Sequence, residues 1–370
     1  MASMSPQQPL GGPGALLARV RAAIAQAGGY LPFDRFMALA LYEPVLGYYC
    51  HGRQVLGAWP ADGSDFITAP ELSPLFGQAL ARQVAQALQA AEAETVLEIG
   101  AGSGALAEQL LQALGPAVKR YLILDLSGSL RQRQALRLAR FGEQVQWLDA
   151  LPAEVHGVIL GNEVLDAMPV HLLHWDGHAW LERGVSMDPA GKNLCWADRP
   201  TPLRPPLTGG FVPGTVVEIH LQAEAFVRSL AEHLVRGAAF FIDYGFPEAE
   251  YYHPQRTSGT LMCHRAHRAD TDPLADLGLK DITAHVNFTG AALAAQEAGF
   301  EVLGYTSQGR FLLNCGLAQS MQQAGLAERA NAQKLLLEHE MGELFKVLGL
   351  VRGAPFEAMG FAAGDRSHTL

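Results

Sequence analysis

The chain has 370 residues, 49% hydrophobic and 17% charged, with 37 acids against 27 lysines and arginines for a net charge of −10. That length suits one large domain or two of ordinary size, and the composition supplies a core and excludes disorder. The negative charge excludes a general nucleic-acid binder, which needs a basic surface, and suits a cationic partner. No apolar run approaches the ~20 residues of a membrane helix, so membrane insertion is not expected. Cys50, Cys195, Cys263 and Cys315 form neither a CxxC nor a metal-ligand spacing, which points to a reducing compartment without structural zinc. The first 33 residues carry no acid and only Arg19 and Arg21, fewer bases than a transit peptide, and hold no apolar secretory core. Lysine occurs at only five positions and alanine is abundant, so the chain reads as a bacterial cytoplasmic protein.

Along the chain, residues 14–27 and 33–41 have helical spacing, and Glu43-Pro44 ends the second. A glycine- and aromatic-rich loop follows over 47–70, then a helix over 71–91. From there strands at 95–99, 121–125, 145–148 and 158–160 alternate with helices at 105–114 and 130–139, the pattern of βαβ units on a parallel sheet. Trp175-Asp176-Gly177-His178 marks a hairpin within 170–185, and proline-rich 192–213 reads as a surface excursion. Strands are expected at 215–220 and 238–244, separated from a helix at 289–298 by a long polar stretch. Strands at 300–306 and 310–315, joined by Ser307-Gln308-Gly309, form an expected antiparallel pair, because that link is too short for a parallel crossover. The expected organisation is a helical region over 1–90, a doubly wound domain over 91–318 with an insertion at about 246–288 after the fifth strand, and a helical tail over 319–370.

The strand Thr95-Val96-Leu97-Glu98-Ile99 runs into Gly100-Ala101-Gly102-Ser103-Gly104 and a helix. Glycines allow a tight turn and close approach to a ligand, and the helix N-terminus offers free N–H groups. Two cofactor classes use this arrangement: dinucleotides, with GxGxxA met by Gly100, Gly102 and Ala105, and S-adenosylmethionine, with ExGxGxG met by Glu98, Gly100, Gly102 and Gly104. Glu98 before the loop, Asp125 ending the next strand and Asp149 after the third favour S-adenosylmethionine. They are placed for an amino or cationic group, the ribose hydroxyls and the adenine edge respectively. Asp65 and Thr68 are candidates to close the site from the N-terminal side.

Several long motifs resemble one family. Leu41-Tyr42-Glu43-Pro44 with Gly47-Tyr48-Tyr49 is similar to its opening signature, and Asp65-Phe66-Ile67-Thr68-Ala69-Pro70-Glu71-Leu72-Ser73 to its second. Asn162-Glu163-Val164-Leu165-Asp166-Ala167-Met168-Pro169-Val170-His171 resembles its most diagnostic run, and Asp243-Tyr244-Gly245 and Asp281-Ile282-Thr283-Ala284-His285-Val286-Asn287-Phe288 complete the likeness. The family is the MidA-type proteins, the group that includes the mitochondrial complex I assembly methyltransferase. The resemblance implies an α/β class I methyltransferase fold with a Rossmann-like seven-stranded sheet, S-adenosylmethionine as cofactor, and methylation of an arginine side chain in a partner protein with a basic segment. It adds Ser127 and Asn162 to the expected cofactor set. Asp125 stands where the family commonly has glutamate, Val164-Leu165 replace a phenylalanine pair and Asn287 replaces an aspartate. An assembly factor on the same fold, with little turnover, is the alternative.

Methyl transfer is an in-line displacement, and a guanidinium acceptor needs carboxylates to hold it and orient charge. Glu163 and Asp166, expected on a helix opening after the fourth strand, lie at the edge where doubly wound sheets bind ligands. His285 is a third catalytic candidate, as base or pocket wall. His171, His174 and His178 read as one exposed strand face, so no metal site is expected.

Overall fold

The structure, a computed structural model, describes residues 13–50, 65 and 67–370. Part of the loop expected over 47–70 lies outside those residues. The main sheet is built from β1 (Thr95–Ile99), β2 (Arg120–Leu124), β3 (Val145–Leu148), β4 (Val155–Asn162), β5 (Leu234–Phe246), β6 (Glu301–Ser307) and β7 (Phe345–Arg352), in the order β6-β7-β5-β4-β1-β2-β3. All run parallel except β7, which is antiparallel to both its neighbours. The two-residue strand Val286–Asn287 also pairs with the end of β5, giving eight strands in all.

Helices cover both faces. On one lie α1 (Pro74–Ala91) and α2 (Ala105–Leu114), and on the other α4 (Leu221–His233) and α5 (Phe288–Glu297); α3 (Gly128–Leu138) follows β2. This explains why the central strands lack a polar face: every residue of β1 is buried. Alternation along β5 sends Phe240 to the α1–α2 layer and Phe241 to the α4–α5 layer, each fully buried. Ser73 caps α1, its hydroxyl accepting from Leu75 N, and Pro74 follows at the first helical position, so the expected 71–91 helix is broken into Ala69–Leu72 and α1.

A second, antiparallel sheet contains His171–Trp175, Trp180–Met187, Leu194–Pro200, Val216–Ile219 and Leu31–Pro32. Residues 194–200, expected as part of a surface excursion, are its edge strand; mostly exposed, they run into the proline-rich stretch that pointed to a loop. The region before residue 90 is not wholly helical, since Leu31–Pro32 joins this sheet between helices Pro13–Gln26 and Phe33–Tyr42. The insertion after β5 carries a three-stranded sheet of Met262–Arg265, Arg268–Asp270 and Asp281–Thr283.

The C-terminal expectation needs the largest correction. Gln308–Asn314 is a helix, and the antiparallel partner of β6 is β7, inside the segment expected as a helical tail. A short apolar run such as Arg310-Phe311-Leu312-Leu313 has no period that separates a buried helix from a strand. The run Phe345-Lys346-Val347-Leu348-Gly349-Leu350-Val351, buried throughout, likewise lacks the alternation of a half-exposed strand.

Candidate functional site

β1 delivers the glycine loop to the carboxyl edge of the sheet. Gly100 N donates to Leu124 O at 2.9 Å, and Gly100, Gly102 and Gly104 have φ of +64°, +55° and +82°, a region that L side chains disfavour. A Cβ on Gly100 would sit 3.1 Å from Val164 Cγ2, so the loop passes close beside the turn after β4. The loop opens on a cleft lined by Thr68, Pro70, Glu98, Gly100, Gly102 and Asn162. Asn162 Oδ1 is buried there without a hydrogen-bond partner among the described residues. Glu98 is 2% exposed, accepts from Tyr121 OH at 2.6 Å, and is pushed up to about 7 by burial.

At the end of β2, Asp125 accepts from Ser127 N at 2.9 Å and Gln134 Nε2 at 2.7 Å. The same Gln134 amide donates to Gly102 O, and its oxygen accepts from Trp147 Nε1. One buried glutamine of α3 therefore fixes the acid and the glycine loop relative to each other, a role the sequence reading did not assign to it. Glu71 and Arg137 hold the loop from outside, since Ser103 Oγ donates to Glu71 and Arg137 bonds to both. Ser127 caps α3 and donates to Tyr49 O at 2.6 Å. Asp149 follows β3 with its side chain 93% exposed and ion-paired to Arg131. Leu126, 77% exposed beside Asp125, is an apolar surface next to the site that the sequence reading passed over. Asp65 is clasped by Tyr48 OH at 2.9 Å and by Ala266 N at 2.7 Å, so it ties the N-terminal region to the insertion. Asp125→Ala is expected to weaken S-adenosylmethionine binding by about 1–3 kcal/mol, the cost of a lost charged hydrogen-bond partner, measurable by calorimetry.

Beyond Asn162 the chain does not open a helix, as the sequence suggested, but makes a tight turn. Glu163 has φ +54°, rare for a residue with a side chain, and its N donates to Ile242 O at 2.8 Å. Asp243 at the end of β5 fixes the turn: its Oδ2 accepts from the backbone N of Val164, Leu165 and Asp166 at 3.1, 2.9 and 3.2 Å. Asp166 in turn accepts from Tyr244 OH, and Asn162 Nδ2 donates to Glu163 Oε1 at 2.9 Å. From the insertion comes Asp281, both of whose oxygens lie 2.9 Å from Tyr49 OH. The two acids predicted from sequence are thus joined by two that were not, Asp243 and Asp281. Asp166, Asp243 and Asp281 are 5%, 1% and 2% exposed, and Glu163 is partly buried. None of the four has an ion-pair partner among the described residues.

Carboxylates removed from water without cations hold their protons. Burial and then Asp166 push Glu163 up to about 8, burial and then Asp166 push Asp281 up to about 8, and burial pushes Asp166 up to about 6. Asp243 is raised by burial and by Asp166 and Glu163. His285 moves the other way: its ring lies 5.1 Å from Tyr244 and 5.2 Å from Phe246, and burial first, then Arg256 and Lys346, hold it down at about 4, so it is neutral at pH 7. Folded-state acids that bind protons more tightly than in the unfolded chain stabilise the fold at low pH and lose that advantage as pH rises. The cofactor-free protein is therefore expected to lose stability between about pH 5 and 8, on the order of 3 kcal/mol for Asp281 alone. Thermal melts across that window check this, and Asp281→Asn should flatten the profile.

On the second sheet His171 lies between two carboxylates, Nδ1 2.8 Å from Glu182 and Nε2 3.7 Å from Asp34. These three are the group of possible metal ligands found among the described residues. No helix among the described residues is long and apolar enough to cross a membrane.

A glycine loop after β1, an acid at the end of β2 and a reversed seventh strand define the class: an S-adenosylmethionine-binding methyltransferase fold. The chain belongs to the MidA-type family, described by its family model as "Putative S-adenosyl-L-methionine-dependent methyltransferase", which matches residues 79–306. A candidate methyl transferase from Burkholderia thailandensis, crystallised with S-adenosyl-homocysteine bound, is 50% identical, covers 97% of both chains and superposes with a TM-score of 0.91. Protein arginine methyltransferase NDUFAF7, mitochondrial, of Danio rerio is 29% identical over 90% of this chain and 87% of its own. The Drosophila melanogaster homolog is 27% identical over 92% and 86%. The protein is an S-adenosylmethionine-dependent methyltransferase, and S-adenosylmethionine is its cofactor.

Proposed function

We propose that the protein methylates a guanidinium nitrogen of an arginine in a partner protein. The observation that carries this reading is the group of four carboxylates, without a cation among the described residues, one turn from the glycine loop. Acids so placed are matched to a cation that enters from outside, and a guanidinium offers the planar donors that carboxylates grip in pairs. The names of the Danio rerio and Drosophila melanogaster relatives support the same acceptor. The chain's net charge of −10 favours a basic segment around the target arginine.

The cleft residues fit the cofactor: glycine backbone for close approach, Asp125 and Glu98 as acceptors, and Asn162 with a free oxygen. Bound there, S-adenosylmethionine supplies an electrophilic methyl on a positively charged sulfur. Glu163 and Asp166 align the acceptor nitrogen and hold positive charge away from it. An entering guanidinium displaces the proton that Glu163 holds in the empty site, and the carboxylate so formed takes the proton that the nitrogen loses on methylation. Asp243 keeps both in place through the three N–H groups it binds. Asp65 and Thr68 close the cofactor side, with Ser127 and Asp149 toward the nucleoside end. His285, neutral and edge-on to the Tyr244 ring, serves as pocket wall rather than base. The test is tritiated methyl transfer from S-adenosylmethionine to host lysate protein, followed by hydrolysis and amino-acid analysis. Label in methylarginine is expected; label confined to methyllysine or a small molecule overturns the arginine assignment.

A further inference from the structure

Glu163 and Asp166 approach the acceptor from the turn after β4, and the insertion supplies a second wall. From its last strand, Asp281–Thr283, onward, Ile282 and Ala284 enter one apolar core cluster and Val286 another. The residues that alternate with them, Asp281, Thr283 and His285, are polar, as the period of two in extended chain requires for the opposite side. These three gather about Tyr244 and its partner Asp166. The Thr283 hydroxyl lies beside that of Tyr244, and the Ala284 N–H donates to Asp166 O at 3.0 Å.

Two buried polar atoms here, Asp166 Oδ1 and His285 Nδ1, make no hydrogen bond among the described residues, and the Thr283 hydroxyl has no partner besides that of Tyr244. Thr283 is 2% exposed and Asp166 5%. An unpaired buried polar atom costs about 1–3 kcal/mol, and a group rich in N–H donors offsets that cost at Asp166 Oδ1. Asp281 is oriented by Tyr49, which stacks on Tyr42 at 5.6 Å and whose carbonyl accepts from Ser127 beside Asp125. The wall is thus tied to the cofactor side of the molecule.

We infer that Asp281 and Thr283 are specificity-determining residues, engaging the edge of the acceptor guanidinium opposite the one held by Glu163 and Asp166. This rests on the arginine reading. Carboxylates on two sides need donors pointing in opposite directions within one plane. A guanidinium has them, whereas a lysine ammonium presents three donors from a single point.

The experiment compares wild type with Thr283→Val, Thr283→Ser and Asp281→Asn, using tritiated S-adenosylmethionine with host lysate protein and calorimetry with S-adenosyl-homocysteine. Inhibition of transfer by methylguanidinium and by methylammonium is measured in parallel. Thr283→Val should bind S-adenosyl-homocysteine within twofold of wild type, transfer methyl to arginine at least tenfold more slowly, and lose its preference for methylguanidinium as inhibitor. Thr283→Ser, which keeps the hydroxyl, should remain within threefold of wild type, and Asp281→Asn should follow Thr283→Val. Wild-type transfer to arginine by both Thr283→Val and Asp281→Asn overturns this inference and leaves the arginine reading standing. Wild-type label on lysine, or equal inhibition by the two cations, overturns both.

Discussion

Glu163→Gln is expected to keep cofactor affinity and lose methyl transfer by roughly 10²–10⁴-fold, the range that removal of a positioned general base covers. Glutamine preserves the side-chain length and an oxygen for the Asn162 amide, which donates at 2.9 Å, so the turn at φ +54° keeps its contacts. What it removes is the group that receives the acceptor's proton, and one of the charges that hold the guanidinium. Calorimetry with S-adenosylmethionine alongside methyl incorporation into lysate protein separates the two effects. Equal loss of cofactor binding would make Glu163 a cofactor or structural residue, and undiminished transfer would remove it from the mechanism.

Gly102→Val should abolish binding of both S-adenosylmethionine and S-adenosyl-homocysteine while leaving the fold intact. At φ +55° a β-branched side chain is strained, and its bulk enters the cleft that the loop lines. The loop lies at the carboxyl end of β1, and only its Ala101 enters an apolar layer of the sheet, so the far-ultraviolet circular dichroism spectrum should match wild type. Retained binding would place the cofactor elsewhere.

The glycine loop and the central strands were legible because their signals are local: three glycines within five residues after an apolar strand, and the alternation of strand and helix over 95–160. The C-terminal strand was not, because Gly349 in β7 serves a distant neighbour. A Cβ there would meet the Phe361 ring at 2.5 Å, a contact no local pattern reveals. The carboxylate group was half legible for the same reason. Glu163 and Asp166 are three residues apart and read as a pair, whereas Asp243 and Asp281 reach them only because β5 pairs with β4 and the insertion folds back over the edge. Gln134 falls in the stretch after β2 that resembles the family, but a helical glutamine has no distinctive spacing, and its role rests on its bonds to Gly102, Asp125 and Trp147. Asp149 has its expected place after β3, where its side chain is exposed and ion-paired to Arg131.

The central claim is that the carboxylate group beside the glycine loop receives a guanidinium. Calorimetry with three adenosyl amino acid analogues tests it most directly, each with nitrogen in place of sulfur and carrying an alkylguanidine, an alkylamine or a plain alkyl arm. The alkylguanidine analogue should bind at least tenfold more tightly than the plain alkyl one, about 1.4 kcal/mol. The alkylamine should gain less, and Glu163→Gln should erase the difference. Equal affinities for all three arms in the wild-type protein would contradict the account.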